Sequence, residues 1–153
     1  MSIADLGSLG EFVSSLAVLL TLIFLTLQMR QNTKAVKAST AAEMTSQWLT
    51  QANSAATSSA LDAAFNRVEE SGSAMVEGGR PVFYFTAALL KTTEFAHYQW
   101  KAGNLDEPLW KTHEPAMEGV VATPHFGEIW ALQKGWYTDE FQAYVSSLIE
   151  KHQ

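Results

Sequence analysis

Cysteine is absent from this sequence. That excludes a disulfide framework and thiolate metal sites, and it suits a reducing compartment. Positive charge is scarce: ten Lys and Arg stand against sixteen Asp and Glu, a net charge of −6. A chain of that balance has no general attraction to nucleic acid, and no arginine-rich face offsets it, so nucleic acid is not expected as a partner. No run alternates apolar and polar residues as a half-buried strand would, and neither a repeat nor a low-complexity tail occurs. No glycine or proline falls between residues 11 and 71. Apolar residues are not lacking, at 47%, as in ordinary globular proteins. The expected fold class is all-α.

Charge is missing altogether from Phe12 to Met29, FVSSLAVLLTLIFLTLQM. At ~1.5 Å per residue such a helix spans ~27 Å, close to the thickness of bilayer hydrocarbon. A buried core helix would ordinarily be shorter, and a signal peptide would carry its cations before the apolar run. Here Asp5 and Glu11 precede the run, whereas Arg30, Lys34 and Lys37 follow it. The segment is therefore expected to be retained, with the N-terminus outside and the C-terminus in the cytoplasm. Expected divisions are a short extracytoplasmic tail over 1–10, a transmembrane helix over 11–29, and a cytoplasmic helical bundle over 30–153. The first helix should continue out of the membrane to about residue 53, and roughly 100 residues remain for a modest soluble core.

One face of this helix carries small or short polar residues. Gly7, Gly10, Ser14, Ala17 and Thr21 follow steps of three and four, and the stripe resumes at Gln28, Gln31, Ala35, Ala38, Ala42, Thr45, Leu49, Ala52 and Ala56, with Phe24 its one bulky interruption. Small residues let helices approach closely in lipid, so the stripe is the expected helix-packing interface. A region rich in Ala, Ser and Thr would also produce such a stripe by composition alone.

Beyond the stripe, Ser58 or Ser59 reads as a helix cap, with Asp62 completing a capping box from Ser59. The short helix that follows places Leu61, Phe65 and Val68 on one face. SGSAMVEGGRP reads as a loop. A third helix is expected over 81–102, opened by Pro81, with a core of Phe83, Phe85, Leu89, Leu90, Phe95 and Trp100, and ended by Gly103-Asn104. Asp106 with Pro108 opens the next helix. Thr123 and Pro124 open one covering Phe126, Ile129, Trp130 and Leu132, which Gly135 ends. Thr138, followed by Asp139 and Glu140, starts the last.

Three stretches carry a resemblance: LIFLTLQMRQNTKAVKAS, FAHYQWKAGNLDEPLW and TPHFGEIWALQKGWYTDEF. Together and in this order they resemble an uncharacterised family of bacterial single-pass membrane-anchored helical proteins. The resemblance implies one membrane helix, a helical cytoplasmic part and a bacterial inner-membrane location. It implies no activity and carries no functional residues.

Candidate chemistry is sparse. Glu94-Phe95-Ala96-His97 is a Glu-x-x-His step, the unit of di-iron carboxylate bundles, but such bundles need two steps and two further glutamates. His125 and Glu128 have the reverse order, and Glu43 is a further possible ligand. A solvated or hydrogen-bonded pair is the plainer reading of Glu94 and His97, and no metal or cofactor is expected. His113-Glu114 reads as a surface pair. EGGRP lacks the Lys and Ser/Thr of a phosphate-binding loop. Trp48, Trp100, Trp110, Trp130 and Trp136 could line a ligand pocket or sit at a lipid interface, but read chiefly as packing residues.

The leading expectation is a non-enzymatic membrane protein, in contact with lipid, that self-assembles or serves as a subunit of a membrane complex. Alternatives are a membrane-anchored metal enzyme or sensor using Glu94 and His97, and a homo-oligomeric pore lined by Ser14, Thr21 and Gln28.

Overall fold

The computed structural model describes residues 3–152, without the side chains of Ala4 and Asp5. The outermost residues of the expected tail, and the Asp5 carboxylate of the acidic flank, therefore lie outside the described residues. The fold is all-α: seven α-helices and one 3₁₀ turn, with no strand among the described residues. The chain divides into two units, Met1–Ala38 and Ser39–Gln153.

Helix α1 runs from Ile3 to Thr57 without interruption. It passes the expected end near residue 53 because Ser54, Ala55, Ala56 and Thr57 contain no breaker. It stops at Ser58, whose backbone is extended and whose side chain accepts the amide N–H of Leu61. Ser58 is thus the cap of α2 (Ser59–Ser71), and the capping box from Ser59 does not form. Asp62 instead adds a carboxylate to the first turn, which favours the positive helix end.

In the first unit, every apolar side chain from Phe12 to Met29 is exposed. Among the described residues α1 is the one helix long and apolar enough to cross a membrane, and none of its most apolar stretch is buried.

The second unit is built around α3 (Arg80–Lys101). Its buried face comprises Val82, Thr86, Ala87, Leu90, Thr93, Ala96 and His97. The aromatics expected as its core, Phe83, Phe85, Phe95 and Trp100, are half-buried and flank that face. Small residues at the centre let other helices approach, and the large rings close the edges. Val82 joins a cluster with Leu61, Ala64 and Val68 of α2 and Ile129. Leu90 joins a second cluster, formed with α5 (Glu114–Val121), α6 (Phe126–Gln133) and α7 (Asp139–Lys151). Ala96 joins a third, with Met44 of α1, Leu105 and Trp110.

Two departures from the sequence pattern have local causes. The helix opened by Asp106 is only α4 (Glu107–Lys111), and α5 follows almost at once. Pro115 has no N–H to offer the Lys111 carbonyl and would clash with it, so one helix cannot span both. In α6, Leu132 is exposed and Gln133 is fully buried. The Gln133 amide donates to the Phe83 carbonyl at 2.9 Å and accepts from the Tyr137 hydroxyl at 3.4 Å, which satisfies it inside the core.

The loop between α2 and α3 is tight. Gly72 ends α2 at φ 72°, and its N–H returns to the Val68 carbonyl. A Cβ on Gly79 would lie 2.6 Å from the Ala74 carbonyl oxygen. Glu128 anchors the loop, accepting from the Ser73 hydroxyl at 2.9 Å and the Ala74 N–H at 2.8 Å.

Leu90 is fully buried where the helices around α3 converge, so Leu90→Ala should lower the unfolding free energy by about 2–5 kcal/mol. Leu132→Ala, at an exposed position, should change it by no more than about 0.5 kcal/mol. Denaturant unfolding of the purified full chain, followed by tryptophan fluorescence, measures both.

Candidate functional site

Glu94 lies on α3 and faces the start of α7. Its Oε1 accepts the Thr138 N–H at 2.7 Å, and its Oε2 accepts from Lys91 at 2.7 Å. Lys91 also donates to the Trp136 carbonyl at 2.6 Å, and its ammonium sits 4.5 Å from the centre of the Tyr137 ring. The carboxylate therefore caps α7 from outside, since the Thr138 side chain makes no cap hydrogen bond. Burial pushes the Glu94 carboxyl up, but Lys91 and the Thr138 N–H outweigh it and hold it below the ordinary value.

His97, one turn further along, is 5% exposed. Its ring lies against Trp100, Trp110, Phe141 and Tyr144, with centroids 5.2–6.0 Å away. Burial holds the imidazole below its ordinary pKa; Glu140 acts upward, Lys101 downward and Glu94 upward. Burial, then Glu114 and Glu118, push the Tyr144 hydroxyl up to about 12. The Glu94–His97 step thus divides into a carboxylate that caps a helix and a ring that packs among aromatics. Lys91, Glu94, His97, Tyr98 and Glu140 border a groove of about 510 Å³ between α3 and α7. Among the described residues no three His, Asp or Glu side chains converge as a metal ion would require.

The other candidates have equally local duties. Glu128 fastens the α2–α3 loop, as described above. Glu43 accepts from Gln47 at 3.4 Å. His125 is held below its ordinary pKa by burial, against the upward pull of Glu69 and Glu128.

His113 is no surface pair with Glu114. It lies between Trp48 and Trp110, stacked within 18° and 11° of parallel. Trp110 stacks in turn on Trp100 within 8°, and the Lys101 ammonium stands 4.8 Å from the Trp100 ring centre. His113 Nδ1 lies 3.2 Å from the Leu109 carbonyl; a carbonyl only accepts, so Nδ1 carries the proton. This ladder ties α1, α3 and α4 together. Its signal in the sequence is the Trp110-x-x-His113 spacing, one helical turn. Beside it, Trp48, Gln51, Thr93 and Met117 border an apolar cavity of about 30 Å³, far below the ~300 Å³ at which organic ligand pockets begin.

The stripe lies elsewhere. Gly7, Gly10, Ser14, Ala17, Thr21, Gln28, Ala35, Ala38 and Ala42 are all exposed. In the second unit α1 turns a different face to the bundle, with Thr40 and Met44 buried and Ala41, Gln47, Gln51 and Ala55 half-buried. A Cβ on Gly7 or Gly10 would meet nothing within 4 Å. The Thr21 hydroxyl donates to the Ala17 carbonyl at 2.9 Å, and Thr45 to Ala41 at 2.9 Å. Their protons are committed within the helix, and only oxygen lone pairs remain for a neighbour.

Both His97 and His125 have folded-state pKa values below 6.5. The stability they contribute is complete above pH 6.5 and is lost as pH falls through the lower folded values. Glu94, also lowered, contributes fully above about 4.5 and loses its share below that. His97→Gln should therefore flatten the decline that starts near pH 6.5, and Glu94→Gln only the one below 4.5. Urea midpoints measured against pH for the three proteins separate the effects; equal slopes in all three would refute the assignment.

No family model, curated protein or solved structure matches the chain, so what these groups can do rests on their geometry.

Proposed function

We propose that this chain is a membrane-anchored helical protein whose function is to assemble, with further copies of itself or as an accessory subunit of a membrane complex. Residues 11–29 cross the bacterial inner membrane, residues 1–10 form the outer end, and residues 30–153 lie in the cytoplasm. The observation that carries this reading is the uncovered state of α1 from Phe12 to Met29. Leu16, Leu19, Ile23 and Phe24 are among the bulky apolar side chains exposed around it. In water each would forfeit about 1.5–3 kcal/mol of burial; lipid removes that cost. The uncovered small-residue face offers a neighbouring helix close van der Waals contact, the means of association that lipid leaves available. Glu94 and His97 are already engaged in capping and packing, which favours assembly over a metal enzyme.

Gentle detergent extraction followed by native mass measurement tests the assembly. Ser14→Leu, Ala17→Leu and Ala38→Leu should shift the complex toward monomer, while Leu19→Ile, off the stripe, should leave its mass unchanged. A wild-type monomer without partners, or a complex indifferent to Ala17→Leu, would sink the proposal.

Orientation is tested separately. Arg30, Lys34 and Lys37 should keep the C-terminus in the cytoplasm. A C-terminal reporter active only outside the cytoplasm would contradict this.

A further inference from the structure

We propose that the Trp48 indole is a displaceable lid over a binding site for a small planar aromatic molecule with one hydrogen-bond donor, such as an indole or a phenol. Every residue of the site belongs to the second unit, so the inference stands apart from the membrane reading. Trp48 and His113 border two cavities at once. One is the apolar space of about 30 Å³ against Leu89, Met117 and Val120. The other, of about 80 Å³, lies against Met44, Leu105 and Leu109. Neither admits an organic molecule while the indole is in place. Trp48 is the outer end of the ring ladder, 40% exposed where Trp110 is 2%. It can therefore turn outward without parting the buried rungs. The space it vacates adjoins both cavities, and an enclosed apolar space of ~150 Å³ already holds a benzene-sized guest.

The chemistry of the guest is set by what the indole leaves behind. His113 keeps its ring plane, because Trp110 stacks on it and its Nδ1–H is held by the Leu109 carbonyl. Its other face then lies open to a flat ring, which replaces Trp48 as the stacking partner. Gln51, three residues after Trp48, stands beside it on the same side of α1. The Gln51 Nε2 donates to the Ala88 carbonyl at 3.2 Å and to the Thr92 hydroxyl oxygen. Turning the amide over would bring its oxygen against the Ala88 carbonyl, so its orientation is fixed. Oε1 is then a buried acceptor without a hydrogen-bond partner. Such an acceptor favours a guest that brings a donor over one that does not. Gln51 and His113 border the same smaller cavity, so one guest meets both.

Indole and benzothiophene provide the test, since they share a bicyclic shape and only indole carries an N–H. Equilibrium dialysis of the full chain in detergent, against protein-free detergent at the same concentration, cancels partitioning into micelles. One indole per chain should bind saturably, about three- to tenfold more tightly than benzothiophene. Gln51→Met should remove that difference. Trp48→Ala should tighten indole at least about tenfold, because a lid open in roughly a tenth of the molecules or fewer lowers the apparent affinity by that fraction. Trp136→Ala, at an exposed tryptophan that borders neither cavity, should change nothing. Equal binding of the two ligands to the wild type, a comparison that needs no variant, overturns the proposal. So does weaker indole binding by Trp48→Ala, since Trp48 would then be a contact and not a lid. No saturable binding to the wild type overturns it too, even where Trp48→Ala binds, because the space would then be one that the substitution creates.

Discussion

One buried face of α3 holds the second unit together. Val82, Thr86, Leu90, Thr93 and His97 recur at steps of three and four, and helices from before and after α3 in the chain close on that face. The residues there are small or slender, so neighbours approach closely and the large rings are displaced to the flanks. Each of the three apolar clusters takes one buried residue of α3, at Val82, Leu90 and Ala96. A cavity at the middle of these would be felt by all the helices at once, because close-packed interiors collapse only partly around a void.

Polar groups inside this unit act as ties between helices. Gln133 joins α6 to α3 through the Phe83 carbonyl, Glu94 joins α3 to α7 through the Thr138 N–H, and Glu128 joins α6 to the α2–α3 loop. Glu94 and Glu128 each satisfy a backbone N–H at a helix start or in a loop, whereas Gln133 adds a second donor to a carbonyl inside α3 and so satisfies its own buried amide. Glu94 and Glu128 therefore have their lone pairs engaged by backbone N–H groups and by Lys91 and Ser73. His97 is held by ring packing, and an imidazole enclosed by four aromatic side chains costs free energy to protonate.

Much of this was legible because helix ends are written locally. Ser58, Pro81, Gly103, Asp106 and Thr138 each mark a boundary that the structure keeps to within a residue or so. The boundary between α4 and α5 was also written, at Pro115, but the carbonyl that decides the break lies four residues upstream of it. Contacts between distant segments were not legible. The buried side of α1 consists of Thr40 and Met44 among half-buried Ala41, Gln47 and Gln51, a composition that does not stand out from the small-residue stripe on its other face. The capping role of Glu94 depends on where α7 begins, forty-four residues later. The stacking of His113 between two tryptophans depends on Trp48, sixty-five residues earlier in the sequence.

The stripe on α1 sets one further geometric condition on the proposed assembly. Steps of three and four average 3.5 residues, whereas a straight α-helix needs 3.6 per turn, so the stripe drifts by ~20° per heptad. Across the seven heptads from Gly7 to Ala56 the drift reaches ~140°. A straight partner lying parallel to α1 would lose the stripe partway along. Only a partner wound about α1 in a left-handed sense follows it for the whole length. In lipid the proposed contact would draw on backbone proximity at Ser14 and Ala17. Beyond Arg30 it would draw on burial of Ala35, Ala42, Leu49 and Ala52 from water, with Leu49 contributing most because it has the largest apolar area. The two ends of the proposed interface would therefore answer to different solvents: denaturant would act on the water-facing half by weakening burial, and lipid-chain packing on the other.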